Sequence, residues 1–237
     1  MKKFSFYTYR ALIVLIFWTL VIIPLLLLAY AGFHRIRYYM SRWWAYRVLW
    51  AAGVRLETQG LENLEGAGPY VYSPNHQSFM DIPIILRALP IQFRMVAKQE
   101  LFDVPVLGFA IGLMGTIGIS RANRREAVKS LRQAEKMVKN GDNLLIFPEG
   151  KLSGTETFEK FKKGAFLIAK RLKVPVVPVC IAGAHRILPR GSRAIRPGRV
   201  KVIVLKPRQI DDDLDKAAAS LQAELEGVFK EAVRDLD

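Results

Sequence analysis

The sequence predicts an α/β fold: a mixed, mostly parallel sheet flanked by helices on both faces, with an N-terminal hydrophobic helical membrane element. Beyond Gly53, short apolar runs alternate with longer amphipathic stretches, which is typical of strand–helix units built around a largely parallel sheet. Before it, residues 11–33 carry no charge, as a membrane-embedded segment requires. Hydrophobic residues make up 51% of the 237 residues, which excludes a disordered chain. We therefore expect membrane-binding helices over residues 1–52 and one α/β domain over residues 53–237.

The uncharged run at residues 11–33 is 23 residues long, enough to cross about 30 Å of hydrocarbon. It is longer than the apolar stretch of a cleaved signal peptide, and arginines follow it directly, so we expect it to be retained. Pro24 interrupts it, and two arrangements stay open. The run crosses the bilayer once, or it bends at Pro24 and lies in one leaflet. We favour the second, because the basic residues on both flanks then face one anionic surface.

Aromatic and basic residues alternate from His34 to Trp50, where six tyrosines and tryptophans lie among four arginines. Tyrosine and tryptophan prefer the headgroup level of a bilayer, and arginine pairs with lipid phosphate while its stem covers apolar surface. This segment predicts a helix at the surface of an anionic membrane. The alternative is an ordinary amphipathic helix packed on the domain.

Seven strands are predicted from short runs rich in Val, Ile and aromatic residues and bounded by Gly or Pro. They cover Val54–Thr58, Tyr70–Ser73, Gln92–Ala97, Thr116–Ser120, Asn143–Phe147, Val174–Ala182 and Lys201–Lys206. The amphipathic stretches between them predict helices. These cover Ile82–Leu89, Val104–Leu113, Arg124–Lys139, Lys163–Leu172 and Leu214–Leu236. In such a fold ligand sites form where strands end, so the residues after each strand are the functional candidates.

The formal charge of +15 is divided unevenly along the chain. Residues 1–55 carry +8 and residues 56–210 carry +13, whereas residues 211–237 carry −6. The positive charge of the N-terminal and central parts of the chain indicates anionic partners such as membrane lipid, phosphorylated small molecules or nucleic acid. Nucleic acid is disfavoured, because 14 of the 25 aromatic residues lie in the first fifty positions and the basic loop from Arg186 to Lys201 has none. We expect no nucleic-acid partner.

The second predicted strand leads into Asn75-His76-Gln77-Ser78-Phe79-Met80-Asp81. On one continuous helix, residues five apart would point about 140° away from each other. His76 and Asp81 therefore meet only if His76 lies in the loop and Asp81 begins the helix, which Pro83 supports because proline suits a first turn. Two simpler interpretations stay open. Asp81 caps the helix or closes a box with Ser78, and His76 is a surface residue.

Two further strand ends carry charged residues. The strand Asn143–Phe147 ends in Phe147-Pro148-Glu149-Gly150-Lys151, which suits either a ligand grip or a common turn. The strand Thr116–Ser120 leads into Arg121, which suits phosphate at the following helix N-terminus or forms a solvated cluster. The sequence has no GxSxG elbow, Walker A loop, HExxH or GxGxxG helix start. A His–Asp pair without a nucleophile is best used as a general base on a bound hydroxyl.

Four blocks resemble those of the glycerolipid acyltransferases, the family that contains 1-acylglycerol-3-phosphate acyltransferase. In chain order they are Asn75–Asp81 (family NHxxxxD), Gly115–Arg121 (GxxFIxR), Phe147–Gly150 (FPEG) and Val174–Val179 (VPVVPV). Each block alone is modest evidence, but all four stand in the family order over roughly residues 54–206. The family also commonly has an N-terminal membrane-binding element, which residues 5–50 would supply.

The resemblance implies a role for each matching residue. His76 is the general base that takes the proton from the acceptor hydroxyl as it attacks the acyl thioester. Asp81 orients His76 and stabilises the imidazolium that forms. Arg121 would hold the acceptor phosphate. Glu149 and Gly150 would position the acceptor, with backbone N–H groups available to the oxyanion.

This chain departs from the family pattern in two blocks. Gly118 and Ser120 stand where the family has phenylalanine and an acidic residue, and Lys151-Leu152-Ser153 stands where it usually has Thr-Arg-Ser or Gly-Arg-Ser. If the missing arginine grips phosphate, Lys151 replaces it or the acceptor is not a phosphate monoester. Lys98 is a weaker candidate for phosphate.

The resemblance implies a membrane-associated O-acyltransferase. It would move a fatty acyl group from acyl-CoA or acyl carrier protein to 1-acyl-sn-glycerol 3-phosphate, giving phosphatidic acid for phospholipid biosynthesis. The alternative acceptor is another lysolipid, either a lyso-aminolipid such as lyso-ornithine lipid or a lysophospholipid. We expect no metal site and no cofactor besides the acyl thioester co-substrate. The expected location is the inner, cytoplasmic membrane, with the catalytic domain on its cytoplasmic face.

Overall fold

The structure, a computed structural model, describes residues 6–30, 34–64, 68–105, 107–120 and 124–236. The helices are α1 (Phe6–Tyr30), α2 (His34–Ala51), α3 (Asp81–Ala88), α4 (Leu107–Leu113), α5 (Arg124–Lys139), α6 (Gly164–Leu172), α7 (Ala184–Ile187) and α8 (Leu214–Arg234). The strands are β1 (Val54–Gln59), β2 (Val71–Pro74), β3 (Phe93–Lys98), β4 (Ile117–Ile119), β5 (Asn143–Leu145), β6 (Val176–Ala182) and β7 (Gly198–Val204). The predicted strands and helices of the α/β domain are confirmed, with ends displaced by at most three residues.

The strands form one sheet in the order β1-β7-β6-β2-β5-β3-β4. The strands from β6 to β4 run parallel to one another. β7 pairs antiparallel with β6 and parallel with β1, so the sheet is mixed and mostly parallel, as predicted. Because parallel strands end at a common edge, the loops after β6, β2 and β5 open side by side.

Helices cover both faces of the sheet, and each face has its own apolar core. On one face α2 and α3 contribute buried side chains such as Leu49 and Ile85. On the other face α6 and α8 contribute side chains such as Phe166 and Leu225. All residues of β2 and β6 are consequently buried, as is typical of parallel strands covered on both sides. Polar side chains able to take part in chemistry therefore lie in the loops at the ends of these strands.

The helix α2 has a buried face and an exposed aromatic face. The buried face packs against the domain and includes Ser41, Ala45, Val48 and Leu49. The exposed face carries Tyr39, Trp43, Tyr46 and Trp50, with exposed fractions of 66%, 44%, 46% and 48%. The helix therefore does pack on the domain, as the alternative interpretation held, and still presents aromatic rings outward. Among the described residues, the structure has no helix whose length and apolar character would let it cross a membrane.

Two N-terminal arginines bind the ends of helices inside the protein. Arg10 donates through Nε and Nη2 to the carbonyls of Ala51 and Trp50, each at 2.8 Å. Arg42 donates through Nη1 to carbonyls at the C-terminal end of α3. A cation at this position satisfies free carbonyls and complements the negative end of the helix dipole. Part of the basic charge of the N-terminal region therefore stabilises the fold, in addition to any contact with an anionic surface.

Candidate active site

His76 and Asp81 form a hydrogen-bonded pair at the carboxyl edge of the sheet. His76 lies in the loop after β2, and Asp81 is the first residue of α3. The Nδ1 atom of His76 is 2.9 Å from Oδ2 of Asp81. The Asp81 side chain is fully buried, whereas that of His76 is 17% exposed. The arrangement that the sequence required for a working pair is therefore present, with histidine in the loop and aspartate at the helix start.

The Asp81 carboxylate is held by the backbone of the same loop. Its Oδ2 atom also accepts the N–H groups of Gln77 at 2.7 Å and Ser78 at 2.9 Å. Three donors on one oxygen fix the orientation of the carboxylate. Met80 is the N-cap residue of α3 and makes no side-chain cap bond, while the Ser78 hydroxyl donates to the carbonyl of Leu188 at 2.9 Å. Of the two hydrogen bonds of a capping box, only the one in which the Asp81 carboxylate accepts the N–H of Ser78 is present.

The imidazole of His76 is fixed by stacking and by its bond to Asp81. Its ring lies 3.9 Å from the Phe147 ring, centroid to centroid, at an interplanar angle of 23°. Because Nδ1 is directed at the carboxylate, Nε2 is the nitrogen placed to accept a proton. The sequence marked Phe147 only as part of a motif, and its role as a stacking partner emerges from the fold.

Glu149 connects the loop after β5 to the backbone of His76. Its Oε1 atom accepts the N–H of His76 at 2.6 Å, and its Oε2 atom accepts the N–H of Glu159 at 2.8 Å. The residue is fully buried, and this burial raises its pKa to about 7, although both backbone bonds act to lower it. Both carboxylate oxygens are therefore engaged by the protein itself. Direct positioning of an acceptor by Glu149 stays a prediction.

Gly150 and Lys151 follow in the same loop. Gly150 has φ of +66°, a conformation that suits glycine, and its N–H donates to the carbonyl of Phe147 at 3.1 Å. The turn therefore uses the N–H of Gly150, and the supply of backbone N–H groups to an oxyanion in this loop stays a prediction. Lys151 places Nζ 2.9 Å from the carboxylate of Glu159. Its predicted contact with phosphate would require it to leave or share that partner.

Two other predicted phosphate ligands lie apart from the pair or outside the described residues. Lys98 is the last residue of β3, with an exposed side chain, and β5 lies between β3 and the strand that leads to His76. Arg121 falls outside the described residues. The roles of both stay predictions.

Asn75 has a structural role that the sequence did not assign. Its Nδ2 atom donates to the carbonyl of Ile181 at 2.9 Å, and its Oδ1 atom accepts the N–H of Ile181 at 2.7 Å. The side-chain amide thus extends the pairing of β2 with β6 beyond Pro74. It fixes the first residue of the loop that carries His76. The sequence feature that indicates this role is a polar residue directly after a buried strand.

An apolar cavity of about 400 Å³ lies beside this loop. Its walls come from α1, α2, the start of α3 and the loop after α7. Lining residues include Leu12, Trp44, Phe79, Met80 and Leu188. Phe79 and Met80 belong to the same segment as His76, so the cavity adjoins the pair. Clefts of this size and character hold apolar ligands.

The sequence model of the Acyltransferase family matches residues 55–182, which include the His76–Asp81 pair and the loop of Glu149. The chain belongs to the Acyltransferase family. The resemblance drawn from the four sequence blocks is thereby confirmed at the level of the family.

Relatives show how far this similarity extends. The chain is similar to the chloroplastic 1-acyl-sn-glycerol-3-phosphate acyltransferase BAT2 of Brassica napus, at 41% identity over 155 residues, covering 65% of this chain and 45% of that protein. It is 33% identical over 231 residues to a 1-acyl-sn-glycerol-3-phosphate acyltransferase of Chlamydomonas reinhardtii, covering 93% of this chain and 69% of that protein. This acyltransferase therefore spans less than half the length of the Brassica relative.

A solved structure resembles this acyltransferase over almost its whole length. It is the crystal structure of the 1-acyl-sn-glycerophosphate (LPA) acyltransferase PlsC from Thermotoga maritima. The TM-score is 0.75 at 25% sequence identity, and the match covers 97% of each chain. The similarity thus includes the N-terminal helices together with the α/β fold.

Proposed function

We propose that this acyltransferase moves a fatty acyl group from acyl-CoA or acyl carrier protein to the free hydroxyl of 1-acyl-sn-glycerol 3-phosphate, forming phosphatidic acid. The main support is the pairing of a partly exposed His76 with a buried Asp81 at 2.9 Å. This pair can activate a hydroxyl without a protein nucleophile. The choice of acceptor rests on the similarity to proteins named for this acceptor.

The pair supports direct transfer between two bound substrates. Nε2 of His76 takes the proton from the acceptor hydroxyl while the hydroxyl oxygen bonds to the thioester carbonyl carbon. The negative charge of Asp81 stabilises the imidazolium. The tetrahedral intermediate then collapses, the C–S bond breaks, and the thiolate takes the proton from Nε2. The products are an ester and a free thiol, and His76 returns to its neutral form.

We place this enzyme on the cytoplasmic face of the inner membrane, with α1 and α2 against the lipid. The exposed side of α2 is aromatic, and α1 carries exposed apolar residues such as Phe6 and Ile13, which are 69% and 66% exposed. Exposed aromatic and apolar side chains of this kind favour contact with a bilayer. Residues of both helices line the apolar cavity, which would serve as the route of an acyl chain from the lipid to the site.

The test is acyl transfer by the protein purified in detergent. Labelled acyl-CoA and acyl carrier protein are supplied with 1-acyl-sn-glycerol 3-phosphate, and labelled phosphatidic acid is measured. We expect His76→Ala to lower the rate by about a thousandfold, because general-base catalysis contributes on the order of 10²–10⁴, with an unchanged unfolding temperature. Full activity of that variant would refute the mechanism.

The acceptor is tested separately from the chemistry. Monoacylglycerol, a lysophospholipid and lyso-ornithine lipid are compared with 1-acyl-sn-glycerol 3-phosphate at equal concentration. We expect the phosphate monoester to be acylated most efficiently. Faster acylation of another lysolipid, with the same dependence on His76, would overturn the acceptor assignment and leave the mechanism intact.

A further inference from the structure

We infer that the exposed face of α5 is the docking surface for the acyl donor when the thioester is carried by an acidic protein, the acyl carrier protein. The inference rests on the proposed function and assigns a surface to its donor. It starts from the charge of α5, whose 16 residues include six basic and two acidic ones. Five of the basic residues form what we term the basic stripe: Arg125, Lys129, Arg132, Lys136 and Lys139.

The basic stripe follows the repeat of the helix. Its members are spaced by four, three, four and three residues, and at about 100° per residue all five fall within about 80° around the helix axis. All five are exposed, whereas the opposite side of α5 buries Ala134 and Val138 in the core of the domain. With a rise of about 1.5 Å per residue, the stripe is about 21 Å long.

The fold does not require this row of cations. Like charges three or four residues apart on a helix destabilise it by about 0.2–0.5 kcal/mol for each pair, and Arg125 lies in the first turn, where the helix dipole disfavours a cation. Among the residues that the structure describes, the four members of the stripe after Arg125 make no ion pair. The carboxylate of Glu135 is paired instead with Arg171 of α6. The charge of the stripe is therefore available to an anionic partner.

The basic stripe lies on the side of the sheet away from the proposed lipid contact. The buried side of α5 belongs to the core that α6 and α8 share, whereas α1 and α2 pack in the core on the other face. While α1 and α2 contact a bilayer, the stripe thus faces water. The sequence of α5 contains no aromatic residue on which a nucleic-acid base would stack. These features favour a soluble acidic protein, whose extended negative surface complements a row of cations.

The start of the stripe lies at the edge of the sheet that holds His76. The neighbouring strands β2, β5, β3 and β4 run parallel and therefore end at one edge. Three strand spacings, about 14 Å in all, separate the end of β4 from that of β2, and α5 begins five residues after β4 ends. A carrier protein docked on the stripe would deliver its thioester to His76 on its flexible prosthetic arm while its folded part stays outside the site.

The experiment compares two donors of the same acyl group, palmitoyl acyl carrier protein and palmitoyl-CoA, with 1-acyl-sn-glycerol 3-phosphate as the acceptor. The stripe variant carries Lys129→Glu and Arg132→Glu. The control variant carries Lys216→Glu and Lys230→Glu, which make the same change of charge at exposed positions of α8. We expect the stripe variant to lower kcat/KM for the carrier protein by about tenfold to a hundredfold. Its kcat/KM for palmitoyl-CoA, and both values in the control, should change by less than about twofold.

A neutral pair and a salt series separate charge from misfolding. Lys129→Gln with Arg132→Gln removes two charges without adding acidic ones, so we expect a smaller loss with the same preference between donors. Raising the salt concentration from about 0.05 M to about 0.5 M should remove most of the difference between the wild type and the stripe variant, because the ions screen exposed charges. Unfolding temperatures verify that each variant is folded.

Binding is measured separately in detergent with an acyl carrier protein whose palmitoyl group is attached through a non-hydrolysable amide. We expect the stripe variant to bind it more weakly than the wild type and the control do. Equal kinetics of the stripe and control variants with the carrier protein, or an equal loss with palmitoyl-CoA, would overturn the inference. Loss of sedimentation with anionic vesicles in the stripe variant alone would also overturn it, because the stripe would then bind lipid. Stripe-dependent binding in a protein that does not acylate 1-acyl-sn-glycerol 3-phosphate would overturn the proposed function instead.

Discussion

The substitution Glu149→Gln removes one of the two backbone hydrogen bonds that connect the loop after β5 to its surroundings. The carboxylate is fully buried and accepts the N–H groups of His76 and Glu159. Glutamine has nearly the same volume but offers one acceptor oxygen and one donor NH₂ group. One backbone N–H must therefore face another donor, and the loop that holds His76 has to shift.

The expected loss of folding free energy follows from the backbone N–H that is left unpaired. A buried donor without a partner costs about 1–3 kcal/mol, which lowers the Tm by about 2–4 °C for each kcal/mol in a domain of this size. A displacement of His76 by a fraction of an ångström lowers kcat by roughly tenfold to a hundredfold. The KM for the acceptor should change little, because neither oxygen of Glu149 is left to bind it.

The stability difference should also depend on pH. Burial raises the pKa of Glu149 from 4.5 to about 7. A pKa raised in the folded state contributes stability below the unfolded value, and this contribution is lost as the pH rises through the folded value. The wild type should therefore lose roughly 3 kcal/mol from this group between pH 4.5 and 7. Glutamine does not titrate, so the deficit of the variant should be largest near pH 5 and smaller at pH 8.

The assay combines denaturant unfolding at pH 5 and pH 8 with steady-state kinetics in which the acceptor is varied. Glu159→Gln is the matched control, because its side chain makes only a partly exposed ion pair with Lys151, worth at most about 1 kcal/mol. A rise of more than tenfold in acceptor KM for Glu149→Gln, with kcat and the unfolding free energy unchanged, would refute this reasoning. It would make Glu149 a ligand of the acceptor.

Three other substitutions test separate parts of the molecule. Asp81→Asn should lower kcat by about a hundredfold to a thousandfold, because it removes the charge that stabilises the His76 imidazolium. Opposite charges near 4 Å apart interact by about 4 kcal/mol at an effective dielectric of 20. An unchanged single-turnover rate would argue against an imidazolium. Asn75→Ala should lower the unfolding free energy by about 2–6 kcal/mol, because it unpairs two backbone groups of Ile181, and calorimetry with an unchanged Tm would contradict this. Trp43→Ser should weaken sedimentation with anionic vesicles, whereas Leu167→Ser, 46% exposed on the opposite face, should not; equal losses would argue against α2 as the lipid contact.

Local patterns predicted the secondary structure and the His76–Asp81 pair well. Strand and helix periodicities depend only on neighbouring residues. The spacing and Pro83 showed how His76 and Asp81 could meet, the family resemblance selected that arrangement, and the structure has the two side chains 2.9 Å apart. The charge count at the N-terminus was less informative. Arg10 and Arg42 donate to carbonyls at the ends of helices, which a count of basic residues cannot distinguish from contact with lipid.

The sequence by itself determined the fold class and the order of the elements, because these depend on short-range spacing, and its resemblance to a family singled out His76 and Asp81. The tertiary structure decided which residues support that pair. Glu149 reaches His76 across 73 residues, and Asn75 reaches Ile181 across 106. Those contacts exist because β6, β2 and β5 are neighbours in the sheet and their loops open at one edge. No local pattern in the chain specifies that order of strands.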